Sequence, residues 1–511
     1  MRLKQLSTLF ALALLVFGCA KDQLDQALTP EALRQDPMPK AEMDAVVWNY
    51  LKEKNEPFRW ESASSMMLWS ATVTSDSIMS LGYKPAGETN VEQRMFEIDI
   101  QQPAWKAAKE KLINFVVEET NKAFPGLNAT AADLVLNPNQ KYLPTIDIKI
   151  FSLPIIEALR EMPEVRYIEP MTYQLEEVGE RSDSGCGVTA ASSITSADYT
   201  TVAPSAKIPW NFNNANIPNA WNTTTGSGIT VAMIDTGTSD NQDNVGSQFN
   251  SGYSSGRFID RQGTHISGSW WWASNDGPHD QCGHGTQMAG LIAGPRSTDG
   301  NALGAAYNCN LLAFRATTDV VVNSSSEKNG VRDALIISGN RSDVKIISMS
   351  IGDVFYSSTV ADGIYYAYGA GKLIFAAAGT SLSWTSWWGV IFPANMAETV
   401  AVTGIKDSPN MTKCNTCHSG PQVDFVCVMQ RASDNNRTSL SLAPSGNQPS
   451  RVGGSSAATA TTAGIAALVW STNPSQTRTQ VLDRLKNASS FFPSRNSNFG
   501  WGTINATNAV N

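Results

Sequence analysis

An acid, a base and a hydroxyl nucleophile lie in three short segments of this chain. Asp235 stands in Ile234-Asp235-Thr236-Gly237, His284 in Gly283-His284-Gly285-Thr286, and Ser456 in a small-residue stretch over residues 454–464. A serine hydroxyl is a poor nucleophile until a base removes its proton. A histidine can take that proton and then return it to a leaving group. A carboxylate can hold the imidazole in the right tautomer and stabilise its charged form. These residue types therefore suit nucleophilic attack on an acyl carbon. His284 has few rivals, because the other histidines are His265, His279 and His418.

Each group sits on a segment able to hold it. Residues 228–235 are a continuous apolar, β-branched run of strand length. Such a strand delivers Asp235 to its carboxyl end, where open α/β sheets place their sites. His284 precedes the small residues 287–294, which read as a tightly packed helix, and Ser456 opens a similar run that continues to Trp470. A nucleophile at a helix N-terminus gains from the local dipole and from free N–H groups.

The chain order Asp, His, Ser, with these flanking residues, resembles the subtilisin-like serine proteases. Other folds carry the same three groups in other orders. The resemblance spans residues 205–511 and implies an α/β, three-layer subtilisin-like domain with a mainly parallel sheet between helices. It implies an endopeptidase that works on protein or peptide substrates through an acyl-enzyme. Residues 345–352 resemble the family's substrate-binding strand, so Ser350, Ile351 and Gly352 are expected to pair with peptide backbone by strand addition. Residues 373–379 resemble the opposite pocket wall, which places Ala378 and Gly379 there, and residues 498–505 resemble the family's C-terminal turn.

Three departures from the family pattern matter. Thr380 stands where an asparagine usually donates to the oxyanion, and its hydroxyl is shorter. Ser455, Ala457 and Ala460 replace the usual threonine, methionine and proline around the nucleophile. Counting back eight residues from Gly464, as the family spacing requires, selects Ser456 over Ser455. Ile391 takes a pocket-floor position that is commonly glycine, which implies a preference for small residues before the cleaved bond; the competing reading packs it in the core. A competing reading of the whole is a pseudoprotease, a peptide-binding module whose chemistry is lost at Thr380.

Composition sets the outer limits. The chain has 511 residues, 42% of them hydrophobic, and only 16% charged, against about 25% in an average globular protein. Its 38 basic and 46 acidic residues give a net charge of −8, and no basic patch suggests nucleic acid. No cofactor is required for the chemistry and no metal ligands are expected; the family often binds structural calcium, but no loop signature for it is clear.

The N-terminus has a short basic start, an apolar run over residues 6–17, and then Cys19. It resembles a bacterial lipoprotein signal with lipid attached at Cys19, and the run is too short to span a membrane. An exported cell-envelope lipoprotein, periplasmic or surface-facing, is expected, or a secreted protein if Cys19 is not lipidated. The six remaining cysteines suit an exported protein. A Cys282–Cys309 bridge bracing the catalytic loop is one expectation, and structural disulfides involving Cys427 are expected near Cys414 and Cys417. Cys414-Asn415-Thr416-Cys417-His418 also matches a c-type haem attachment motif, although its place between two expected sheet strands, residues 400–404 and 423–426, disfavours that reading.

Ahead of the protease, residues 93–173 read as a small α+β unit. Strands are expected over residues 95–100, 143–151 and 165–170, and helices over 104–122 and 155–162. The stretch 158–170 resembles the inhibitory propeptides of subtilisin-like enzymes, with a generic ferredoxin-like domain as the alternative. The expected organisation is a signal over 1–18, an extension of unassigned role over 19–90 with helical patterning at 41–54, a propeptide over 91–178, a linker over 179–204 that suits self-cleavage, and the protease over 205–511. Two tryptophan clusters, Trp270-Trp271-Trp272 and Trp384 with Trp387-Trp388, are expected on loops near the active face, where packing on each other is favoured over gripping substrate.

Overall fold

The apolar run that carries Asp235 folds as the strand Thr230–Asp235, buried at every position. Its alternate side chains feed two separate cores, as a parallel strand covered on both faces requires. Val231 and Met233 pack on one side with Met288, Leu291 and Leu468. Ala232 and Ile234 pack on the other with Val331, Leu335 and Ile364. The computed structural model describes residues 35–176, 185–267, 274–380 and 389–511. The signal, Cys19, both tryptophan clusters and part of the linker lie outside the described residues.

The chain divides into two units. One comprises the residues up to Asn49, Arg59–Val91 and Ile98–Glu176; the other comprises Tyr50–Phe58, Glu92–Glu97 and the chain from Glu177 onward.

In the first unit, strands β1 (Ile78–Tyr83), β2 (Thr145–Lys149) and β3 (Val165–Pro170) form an antiparallel sheet with β1 in the centre. Leu81 faces Ile146 on one side and Ile168 on the other. Helix Pro103–Ala123 buries Trp105, Ala108, Leu112 and Val116 at helical spacing, and helix Leu153–Arg160 buries Ile155, Ile156 and Leu159. The strand expected at residues 95–100 is absent; turns occupy that stretch. The reason is local. Asp99 accepts a hydrogen bond from the Gln101 amide at 2.9 Å, and the Glu97 amide donates back to Arg94 O at 2.8 Å. Such turn-forming side-chain bonds compete with extended chain. The sheet takes its central strand from β1 instead, ahead of the expected boundary at residue 91.

In the second unit seven parallel strands form one sheet. They are β4 (Thr230–Asp235), β5 (Ile259–Gly263), β6 (Asn310–Arg315), β7 (Val344–Met349), β8 (Leu373–Ala377), β9 (Thr399–Lys406) and β10 (Val423–Gln430), in the order β10-β9-β8-β7-β4-β6-β5. After β5 and β6 lie to one side of β4, the chain crosses to place β7 on its other side. That reversal beside Asp235 is where doubly wound sheets open a crevice. Helices His284–Ala293 and Gly454–Ser471 cover one face, and Ser325–Asn340 and Ser358–Gly369 the other. Among the described residues no helix is long and apolar enough to cross a membrane.

Candidate active site

Asp235 ends β4 and is fully buried. Its Oδ1 accepts from His284 Nδ1 and from the Thr236 amide, each at 2.8 Å. His284 is the first residue of its helix, brought close because Gly285 packs on the Gly237 carbonyl; a Cβ at residue 285 would overlap that oxygen. The loop before His284 is organised by Asp280, a buried carboxylate that sequence reading passed over. Its Oδ1 accepts from Thr236 Oγ1 at 2.9 Å, from the Cys282 amide at 3.0 Å and from the Gly283 amide at 2.7 Å. Its Oδ2 accepts from the Thr286 amide at 2.9 Å and from Thr286 Oγ1 at 2.6 Å. Five donors on one carboxylate fix the loop; an aspartate four residues before the histidine, amid Gly and Thr donors, was the available signal.

Burial of His284 acts to lower its proton affinity. The Asp235 charge, the Asp235 hydrogen bond and the Asp280 charge outweigh that, so its pKa is held above the ordinary imidazole value. Of the other histidines, His265 bonds to Asp276, which also meets Arg315, and His279 Nδ1 accepts from the Asp240 amide at 3.1 Å.

Ser456 lies in the first turn of helix Gly454–Ser471 and is half-buried. Its Oγ donates to Ser350 O at 3.4 Å, and Ser350 Oγ donates to Ser456 O at 3.0 Å. Ser350 follows Met349, which pairs with Ile234, so Ser456 shares the carboxyl edge of the sheet with Asp235. Ser455 is different. It is 1% exposed, and its Oγ accepts from the Gly379 amide at 3.2 Å and pairs with Thr380 Oγ1 at 2.9 Å. Thr380 Oγ1 also accepts from the Ser455 amide at 3.0 Å.

The two walls directly follow β7 and β8. The Ala378 amide donates to Val402 O at 2.9 Å, and Ala378 O accepts from the Ile391 amide at 3.0 Å. A Cβ at Gly352 would lie 2.8 Å from Ile391 Cδ1, so the Ile391 side chain packs beside Gly352. Gly379 adopts φ +123°, in the region that favours glycine, and a Cβ there would strike the His418 ring. One expectation needs correction. The Gly352 edge is not open for peptide: its amide donates to Val320 O at 3.0 Å, and its carbonyl accepts from the Val322 amide at 3.2 Å.

The cysteines also depart from expectation. Cys282 is bonded to Cys186, not to Cys309. Cys309 immediately precedes β6, at the amino end of the sheet, whereas Cys282 lies at the carboxyl end. A six-residue strand separates those ends by roughly 20 Å, too far for a disulfide. Cys414 pairs with Cys417, and Cys427 stays a free buried thiol. Burial pushes the Cys309 and Cys427 thiols up to about 12. With Cys414 and Cys417 joined to each other, the haem-like segment is a brace: the His418 amide donates to Gly379 O at 2.9 Å, and His418 Nδ1 bonds Gly389 O at 2.9 Å. Burial lowers the His418 pKa to about 4. Among the described residues no group of three or more His, Cys, Asp or Glu is placed to hold a metal ion.

A parallel sheet that gathers a carboxylate-bound histidine and a helix-borne serine at its carboxyl edge has the architecture of the α/β serine peptidases. The subtilase family model matches residues 226–502. The chain is 26% identical to an alkaline elastase of Bacillus sp. (strain YaB) over 84% of its own length and 99% of that protein. It is 30% identical to an alkaline protease of Alkalihalobacillus alcalophilus over 61% of this chain and 72% of that one. A crystal structure of MycP1 from Mycobacterium smegmatis aligns with 21% identity and a TM-score of 0.45, covering 63% of this chain and 88% of that one. The chain belongs to the subtilase family: it is a subtilisin-like serine endopeptidase, with proteins or peptides as its substrates.

Proposed function

We propose that Asp235, His284 and Ser456 form the catalytic triad and that the chain works through an acyl-enzyme at Ser456. The observation that carries this is the 2.8 Å bond between His284 Nδ1 and a fully buried Asp235. It leaves Nε2 as the basic nitrogen. Nε2 takes the Ser456 proton as Oγ bonds to the substrate carbonyl carbon, then gives it to the leaving amine as the C–N bond breaks. Water repeats the sequence and frees the acid product. Ser456 Oγ must turn from Ser350 O to His284 for this, a tightening common on substrate binding. Ser455 is unsuited, because its hydroxyl is buried and committed to the Gly379–Thr380 wall.

The same wall supplies the oxyanion donors. A hydroxyl has two acceptor lone pairs and one proton. Thr380 Oγ1 accepts from the Ser455 amide and pairs with Ser455 Oγ; with Ser455 as the donor of that pair, the Thr380 proton is free for the oxyanion. Ile391 restricts the pocket, and a profile favouring Ala over Phe or Leu before the cut bond is the expected signature. The raised His284 pKa moves the active, neutral base to higher pH than an ordinary imidazole would give.

The α+β unit is read as an inhibitory propeptide removed by self-cleavage in the linker. Two disulfides fit an oxidising compartment, and with the N-terminal signal they support export, with lipid at Cys19. Labelling with a fluorophosphonate tests the centre of this reading. Wild type and Ser455→Ala should label and Ser456→Ala should not. Undiminished labelling of Ser456→Ala would remove the assignment, and unlabelled wild type would leave the peptide-binding module.

A further inference from the structure

The occupied edge at Gly352 bears on how much of a substrate the enzyme reads. Ser350 and Gly352 are two residues apart in extended chain, so their backbone groups face the same side. Ser350 O lies 3.4 Å from Ser456 Oγ. A peptide stretched along this edge, with its reacting carbonyl at Ser456, therefore reaches Gly352 with its third residue before the scissile bond. Both hydrogen-bonding groups of Gly352 are already taken by Val320 O and the Val322 amide.

This pairing is built in. The Val321 amide is held by Asp319 Oδ1 at 2.7 Å. Both ends of the segment are clipped to Glu327, a buried carboxylate: Thr318 Oγ1 donates to Oε1 at 2.7 Å and the Asn323 amide to Oε2 at 3.2 Å. Val322 is buried in the apolar layer that contains Phe392. From the other side, a Cβ at Gly185 would lie 2.9 Å from Val320 Cγ1 and 3.1 Å from His284 Cδ2. The Cys186–Cys282 disulfide holds Gly185 there.

We propose that Val320–Val322 is an internal strand standing in for the substrate's third residue, so that backbone recognition before the scissile bond ends at the second residue. The inference rests on Ser456 being the nucleophile. Peptides running past the second residue turn out of the cleft and draw no binding from the Gly352 edge.

The test is a set of N-succinyl peptide p-nitroanilides ending in Ala, with two, three and four residues, hydrolysed by the self-processed enzyme matured from the full chain. Wild type should show nearly equal kcat/KM across the set. Val322→Pro removes the amide that Gly352 O accepts from, and should make kcat/KM rise from the two-residue to the three-residue peptide, roughly fivefold for one recovered backbone hydrogen bond. A rise of that size in wild type would overturn the proposal, as would a flat series in a folded Val322→Pro. Hydrogen exchange gives a readout that needs neither catalysis nor the variant: the Gly352 amide should exchange slowly in wild type, and fast exchange there overturns the internal strand. Wild type that hydrolyses none of the peptides while Gly352 stays protected counts against the Ser456 reading and leaves the strand standing.

Discussion

Around His284 the organising groups are carboxylates; around Ser456 they are hydroxyls and amides. Asp235 and Asp280 together hold the histidine loop through charge-assisted hydrogen bonds. Across the cleft, Ser455, Thr380 and Gly379 hold one another through neutral bonds of 2.9 to 3.2 Å. Bonds to charged groups are roughly twice as strong as neutral ones, and they also change the proton affinity of what they touch. The contrast teaches that the two sides of the edge fail differently. Damage on the carboxylate side alters when the base is available. Damage on the hydroxyl side alters how well developing charge is met, at every pH.

The largest break should come from Asp235→Asn, which keeps the shape but inverts the hydrogen-bond logic at His284. Loss of kcat on the order of 10⁴-fold is expected, the figure for the equivalent change in another serine protease; a loss below tenfold by steady-state kinetics would remove Asp235 from the triad. Thr380→Val tests the hydroxyl side. It should lower kcat by about 10²–10³-fold, the range measured for an oxyanion donor in subtilisin, with the acid limb of the pH profile unmoved. A shifted limb would show that Thr380 acts through His284 instead. Asp280→Asn should move the acid limb of kcat/KM to lower pH, because one of the charges that raises the His284 pKa is gone, and should lower stability to denaturant, because the NH2 group it introduces would face donors that the carboxylate accepts from. The same shift has a sign in stability. Since the folded pKa is raised, the His284 interaction contributes fully below the unfolded imidazole value of about 6.5 and is lost as pH rises through the folded one. The stability gap between wild type and His284→Gln, followed by denaturant unfolding, should therefore narrow as pH increases.

These features were unequally legible in the sequence. The Thr230–Asp235 strand could be read because both its faces are buried, which leaves an unbroken apolar run. The helices carrying His284 and Ser456 were visible through their small residues, which close packing demands: a Cβ at Gly464, for instance, would crowd Ala305. Residues 95–100 alternate like a strand, but the alternation conceals Asp99, whose side chain closes a turn. Asp280 was missed because its role depends on five donors that only the folded loop converges. The occupied Gly352 edge was invisible for a similar reason. Free and paired backbone look alike in a sequence, and the pairing partner lies 30 residues earlier, at Val322.

The two disulfides act on the unfolded chain very differently. Cys186 and Cys282 are 96 positions apart, and Cys414 and Cys417 only 3. In the chain-entropy account, closing a loop of about 100 residues restricts the denatured ensemble by about 4.7 kcal/mol, and the benefit shrinks as the loop shortens. The bond beside the catalytic histidine is thus also the one that most limits how far the denatured protein can spread. A reductant would weaken the fold chiefly by enlarging the unfolded state, and would also release Gly185 from beside His284 and Val320.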